Sequence, residues 1–302
     1  MNRKREKPGL TLIEILTVIA IIALLIGILI PAVTAVRDAA KEVKQTGQFT
    51  TIELGLTAFK NDFGDYPPSS RDDTPGAIYC GSQKLTEALL GWDLVGFHPD
   101  SDWRAAGAAY NPALRPATFD ERKKPYLESG TQYAFTLMNL FGSVAGFPAG
   151  ASGVNRYVLC DVFGATQVTL PDGSSVNAGA PILYYKADPS GRFNNPTLVD
   201  PTAPWDNRGN IYNYGDNGII LQFKDAKDGL SVPVLRDSVL FYDYIQDPKI
   251  TAKPTPYNAS SYILISAGPD GAYGERLPGP DGRLGTPDDE CGPGDDIRNF
   301  GD

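Results

Sequence analysis

The sequence predicts an α+β protein: one long N-terminal helix, apolar in its first half and amphipathic in its second, packed on a small antiparallel sheet and rich in loops. Three observations predict it. An apolar run over 15–33 is broken only by Thr17, Gly27 and Pro31. A stripe of Phe49, Ile52, Leu56, Phe59 and Phe63 then recurs at spacings of 3, 4, 3 and 4, which places all five on one helix face. Short runs rich in Val, Ile, Leu and Tyr follow, among 32 Gly and 25 Pro, the composition of strands joined by long loops.

The chain has 302 residues, enough to bury a core in one or two domains. Its 27 Lys+Arg face 36 Asp+Glu, a net charge of −9, which argues against a nucleic-acid partner. A single His excludes sites that need two, such as HExxH metalloproteases. Cys80, Cys160 and Cys291 form no CxxC pair, so zinc ribbons and thioredoxin chemistry are excluded. Cys80 and Cys160 are the expected disulfide pair, because Cys291 lies in the tail. No GxSxG, Walker A or GxGxxG occurs, and the one His, His98, precedes a Pro in a loop. It reads as a surface or hydrogen-bonded structural residue.

The charge is uneven. Residues 1–9 carry Arg3, Lys4, Arg5 and Lys7 against Glu6, a net of +3, leaving −12 for the rest. A basic flank holds the N-terminus in the cytoplasm. At about 1.5 Å per residue, the run over 15–33 spans roughly 28 Å, close to a hydrocarbon core. The expected topology is therefore a single-pass membrane helix with the N-terminus cytoplasmic and the C-terminal domain extracytoplasmic. A cleaved signal peptide ending near Val33-Thr34-Ala35 is the competing reading. Against it stand the length of the run and Glu14, whose carboxylate costs several kcal/mol in lipid without a partner.

The block Gly9-Leu10-Thr11-Leu12-Ile13-Glu14 resembles the prepilin cleavage motif of type IV pilins and type II secretion pseudopilins. The resemblance implies cleavage between Gly9 and Leu10 by a prepilin peptidase, N-methylation of Leu10, and a retained Glu14 in the fifth mature position. Pro31 falls where the family's first helix has its kink. Leu10 stands where Phe is commonest. In a helical bundle Glu14 would pair with the freed amine of Leu10 on a neighbour and set the register between subunits. Pro31, lacking an N–H, should bend or locally melt the helix.

This gives a cytoplasmic leader at 1–9, a transmembrane and polymerisation helix at 10–36, and an extracytoplasmic pilin-like domain at 37–302. Gly64-Asp65-Tyr66-Pro67-Pro68 ends the helix. Residues 69–155 read as an insertion with short helices at 83–91 and 132–140. Strands are expected at 156–163, 165–170, 182–186, 218–223, 239–244 and 262–265, with turns at 171–173 and 216–218.

Residues 266–302 form an acidic tail with nine Asp+Glu, nine Gly and five Pro. The acids are spread along the tail, most of them beside Gly or Pro, rather than gathered in one block. Such spacing lets a backbone fold around a hard cation, and calcium takes six to eight oxygens in flexible geometry. Disorder is the competing reading. The strand over 262–265 running into Ser266-Ala267-Gly268-Pro269-Asp270-Gly271, and the ending Asp296-Ile297-Arg298-Asn299-Phe300, are similar to the calcium loop of the major pseudopilin of type II secretion. The resemblance implies Asp270 and Asp296 as ligands, with Asp295 next. The segment between them is longer than in the family and holds a second Gly-Pro-Asp-Gly, leaving Asp281 as an alternative to Asp270 or as part of a second site. The expected function is a non-enzymatic subunit that self-polymerises and works with the peptidase, an inner-membrane assembly platform and minor pseudopilins. The alternatives are a type IV pilin or surface adhesin, and a membrane-anchored calcium-dependent hydrolase.

Overall fold

The structure is a computed structural model that describes residues 12–71, 77–110, 118–128, 133–142, 152–164, 166–170, 173–199, 209–222, 234–284, 286 and 289–301. The chain forms two compact units, one up to Val43 and one from Lys44 onward. Helix α1, Leu12–Phe63, is continuous over 52 residues and contributes to both.

In the first unit every described side chain is exposed, including the large apolar residues from Leu12 to Val36. This is the one helix among the described residues long and apolar enough to cross a membrane. Such a surface is stable in lipid or against other apolar helices and not in water. The helix runs unbroken through Pro31, so the local melting expected there is not found. Proline's φ is compatible with a helix, and its missing N–H and the crowding of the carbonyl four residues back strain α1 here without ending it. The hydroxyl of Thr34 also donates back to the carbonyls of Ile30 (3.2 Å) and Pro31 (2.8 Å) within that turn.

The remaining elements lie in the second unit. They are α2 (Gly81–Leu90), α3 (Thr118–Glu121), β1 (Ala134–Thr136), α4 (Leu137–Phe141), β2 (Tyr157–Leu159), β3 (Thr166–Thr169), β4 (Ser175–Ala178), β5 (Leu183–Lys186), α5 (Gly218–Gln222), α6 (Ser238–Tyr244), β6 (Tyr262–Ser266), β7 (Glu275–Leu277), β8 (Glu290–Gly292) and β9 (Ile297–Arg298). Strands β1–β2, β3–β4 and β7–β8 form antiparallel ribbons, and β5–β6–β9 form an antiparallel sheet with β6 in the middle. Small antiparallel sheets, a long helix and many loops are consistent with a pilin-like α+β architecture.

The apolar stripe on α1 does what its spacing implies. Phe49, Ile52, Leu56 and Phe59 are buried, each contributing roughly 1.5–3 kcal/mol. Three of them pack with Leu85, Leu89 and Leu90 of α2 and with Tyr184, Tyr262 and Leu264 of the central sheet. The alternate residues Leu183, Tyr185, Ile263 and Ile265 face a second cluster that holds α5 and α6. The period-2 alternation of β5 and β6 therefore divides one sheet between two apolar layers. Gly55 sits where α1 meets α2. A Cβ there would lie 3.0 Å from Leu89 Cδ2 and 3.2 Å from Leu127 Cδ2. Two glutamines fix the start of the packed half: Gln45 Oε1 accepts from the Val162 N–H and Gln48 Nε2 donates to the Cys160 carbonyl, both at 3.0 Å.

Four expectations need correction. Residues 218–222 and 239–244 are helical, not strands, while residue 223 lies outside the described residues. Short apolar runs do not distinguish the two states by pattern, and local caps decide. Asp237 accepts from Val239 N to start α6, and Asn213 accepts from Gly215 N to start a 3-10 turn that leads into α5. The helix expected over 132–140 is β1 followed by α4. Thr136 ends the strand and caps the helix by accepting from Asn139 N, and residue 132 lies outside the described residues. Finally, Cys80, Cys160 and Cys291 are all free. Cys80 and Cys160 are buried in the same apolar cluster, where a thiol packs as a small hydrophobe.

Candidate functional site

Gly9 and Leu10, the expected cleavage position, lie outside the described residues. Glu14 sits in the first turn of α1, where a carboxylate suits the helix dipole. Its carbonyl accepts from the Thr17 hydroxyl at 3.0 Å.

The acidic tail is built into the domain. After β6 the chain turns at Gly268, whose φ of +65° excludes most side chains. A Cβ there would meet the Asp295 carbonyl at 2.1 Å, so the two ends of the loop touch. Asp270 N donates to Asp295 Oδ2 at 3.0 Å. Asp296 Oδ2 accepts from the Tyr244 hydroxyl (2.6 Å) and from Gly274 N (2.7 Å). Immediately after it β9 pairs with β6, Ser266 opposite Ile297 and Ile265 opposite Arg298. Asn299 closes the loop: Leu264 N donates to its Oδ1 at 2.7 Å, and its Nδ2 donates to Glu53 Oε1 on α1 at 3.0 Å.

Asp270, Asp295 and Asp296 are thus brought together, and Asp281 is not joined to them by a hydrogen bond. It lies in the loop between β7 and β8, accepting from Arg283 N (2.7 Å) and Thr286 Oγ1 (3.4 Å). Thr286 also reaches Asp289, which pairs with Arg276 at 3.1 Å. Burial pushes the Asp296 carboxyl up to about 8; the hydrogen bonds from Tyr244 and Gly274 oppose this, and the charges of Asp270 and Asp295 add to it. A partly buried carboxylate beside two others, all donors being hard oxygens, is a set that a divalent cation would neutralise. Tyr244, Gly274 and Asp161 were not legible as loop supports. Asp161 is almost fully buried and accepts from Ser266 Oγ at 3.1 Å. The only sequence cue for such contacts is that polar groups in a buried strand need partners.

Among the described residues one group has metal-ligand spacing, and it lies away from the acidic loop: His98, Asp100 and Glu121. His98 is fully buried, and its Nε2 lies 3.1 Å from Glu121 Oε2. Its Nδ1 accepts from Asp100 N at 3.1 Å, which leaves the ring proton on Nε2, facing Glu121. A metal on Nε2 would need the opposite tautomer, with Nδ1 as donor. The arrangement is that of a structural histidine.

No family model matches the chain, and no curated protein or solved structure matches it.

Proposed function

We propose that the chain is a structural filament subunit, a pseudopilin of a type II secretion-like system, made as a precursor, cut between Gly9 and Leu10 and polymerised through α1. The observation that carries this reading is the division of α1. Its first part presents apolar side chains on all sides with one carboxylate, Glu14, near the start. Its second part is fixed to a small sheet by a buried stripe. An exposed apolar helix with a rigid head suits lateral packing of many copies, with Glu14 meeting the amine of Leu10 on a neighbour. The loop that brings Asp270, Asp295 and Asp296 together supports a secretion pseudopilin over a pilus pilin, with calcium as the ion it would hold. The prepilin peptidase, the assembly platform and minor pseudopilins are the partners this reading implies.

Co-expression with a prepilin peptidase tests it. Intact-mass analysis should show loss of residues 1–9 and gain of one methyl group. A mature N-terminus near Val36 would establish a signal peptide and overturn the reading.

A further inference from the structure

We propose that Asn258 is an attachment site for an N-linked oligosaccharide, carried on the turn that leads into β6. The site rests on the reading that places residues 37–302 outside the membrane, and it goes beyond the filament role. An acceptor asparagine needs Ser or Thr two positions on, with no Pro between. The chain holds two Asn-x-Ser/Thr triplets, Asn195-Pro196-Thr197 and Asn258-Ala259-Ser260.

The structure separates them. The first has Pro in the middle, and its polar groups serve the fold. Asn195 Oδ1 accepts from Thr197 N and Thr197 Oγ1, both at 2.9 Å, and caps the 3-10 turn Pro196–Leu198. In the second, Asn258 and Ser260 are both exposed. Asn258 has a φ of +49°, a left-handed backbone that Asn tolerates better than most residues. Ser261 N donates to its carbonyl at 2.9 Å and closes a four-residue turn, and the Tyr212 hydroxyl donates to the same carbonyl at 2.6 Å. The turn therefore accounts for Asn at 258. It does not account for Ser at 260, whose hydroxyl makes no hydrogen bond among the described residues. That hydroxyl is the group an acceptor triplet requires.

The amide is placed for transfer. Asn258 Nδ2 donates to the Tyr262 carbonyl at 3.2 Å. A side-chain amide has two N–H bonds, so one hydrogen holds the side chain and the other can be replaced by a sugar. The base of the turn is fixed. Tyr257 N donates to the Ile245 carbonyl at 2.9 Å, its ring lies 5.3 Å from that of Phe300, and Pro256 bridges to Gln246. An exposed triplet on a fixed base carries a bulky, solvated group without disturbing the core. The donor class is a lipid-diphosphate-linked oligosaccharide. The bond from Nδ2 to the sugar C1 forms as the C1–O bond to the diphosphate breaks, one Nδ2 proton is released, and the lipid diphosphate leaves.

Intact-mass and peptide-fragment analysis of the full-length protein, isolated from the membranes of its own cells, tests the proposal. The mature chain should be heavier than its sequence by one oligosaccharide, and fragment ions should place that mass on Asn258. Asn258→Asp keeps a residue suited to the left-handed backbone and removes the amide nitrogen. Ser260→Ala deletes a hydroxyl that the fold does not use. Each variant, made in the same cells, should lose the adduct completely, and Ser260→Thr should keep it. An unmodified Asn258 in the native protein overturns the proposal, as does an adduct that survives Asn258→Asp or Ser260→Ala. The same spectra report the N-terminus. Loss of residues 1–9 with an unmodified Asn258 overturns this site alone, and a modified Asn258 on a chain that starts near Val36 overturns the filament reading alone.

Discussion

Replacing Asp296 with Asn should change stability in opposite directions with and without calcium. The Asn carbonyl can still accept from the Tyr244 hydroxyl and from Gly274 N, the two donors that Asp296 Oδ2 holds at 2.6 and 2.7 Å, so the swap removes charge while keeping geometry. In the unfolded chain the Asp296 carboxyl ionises near 3.8, and in the folded chain near 8. The folded state therefore binds the proton more tightly, and the stabilisation is full below about pH 4. It is lost as pH rises towards 8, because only the unfolded state gives up its proton early. From 3.8 to about 8 the upper bound is roughly 6 kcal/mol. Water reaches a partly buried group, so ~2 kcal/mol is the expected size. In chelator at pH 8, Asp296→Asn should thus melt roughly 4–8 °C above the parent. With calcium at one hundred times its dissociation constant, the parent should gain about 2.7 kcal/mol and the variant little. Magnesium should do less, because it demands stricter octahedral geometry. Melting by circular dichroism in chelator and in calcium, from pH 4 to 9, separates the two claims. A variant that melts below the parent in chelator at pH 8 refutes the burial argument. An equal calcium response in both refutes Asp296 as a ligand.

Three further outcomes are expected. Glu14→Ala should leave the protein membrane-inserted and the head folded, since removing a charge from lipid is favourable, but should abolish filaments in electron micrographs; filaments of normal number and register would sink the pairing with Leu10. Gly55→Leu should destabilise the head by ~1–3 kcal/mol through overpacking against Leu89 and Leu127, read as a lowered urea midpoint, and an unchanged midpoint would mean that α1 and α2 have room to separate. A reductant should leave the melting temperature unchanged, because all three cysteines are free; a drop would restore the Cys80–Cys160 bridge.

Where side-chain periodicity decides the structure, the fold was legible. The stripe from Phe49 to Phe63 needed no tertiary information, because a helix with five large apolar residues on one face must bury that face. The strand at 262–265 was legible for a similar reason, being a short apolar run bounded by turn residues. Residues 218–222 and 239–244 were not, since Ile, Leu, Val and Tyr in a five- to seven-residue segment satisfy both a buried strand and a buried helix turn. The caps Asn213 and Asp237 were visible but carry information only once the direction of the chain after them is known. In the acidic loop, adjacency in sequence made Asp295 and Asp296 a pair. Their meeting with Asp270 depends on β9 folding back on β6, a contact between residues about thirty positions apart. No local pattern distinguished Asp270 from Asp281.

That fold-back joins the two regions the functional reading depends on. Asp296 is the residue before β9, and Asn299, the residue after it, donates to Glu53 on the packed half of α1. Phe300 is buried next, with its ring 5.3 Å from that of Tyr257 and 6.2 Å from that of Tyr244. Tyr244 in turn donates to Asp296. The last turn of chain is thus held by a ring of contacts that begins and ends at the same carboxylate. A two-residue strand has little stability of its own, so β9 is held on β6 by the side-chain contacts of Asp296, Asn299 and Phe300 as much as by its own ladder. Through Asn299 and Glu53 the same set of contacts ties the end of the chain to the packed half of α1, whose stripe anchors the helix to the sheet.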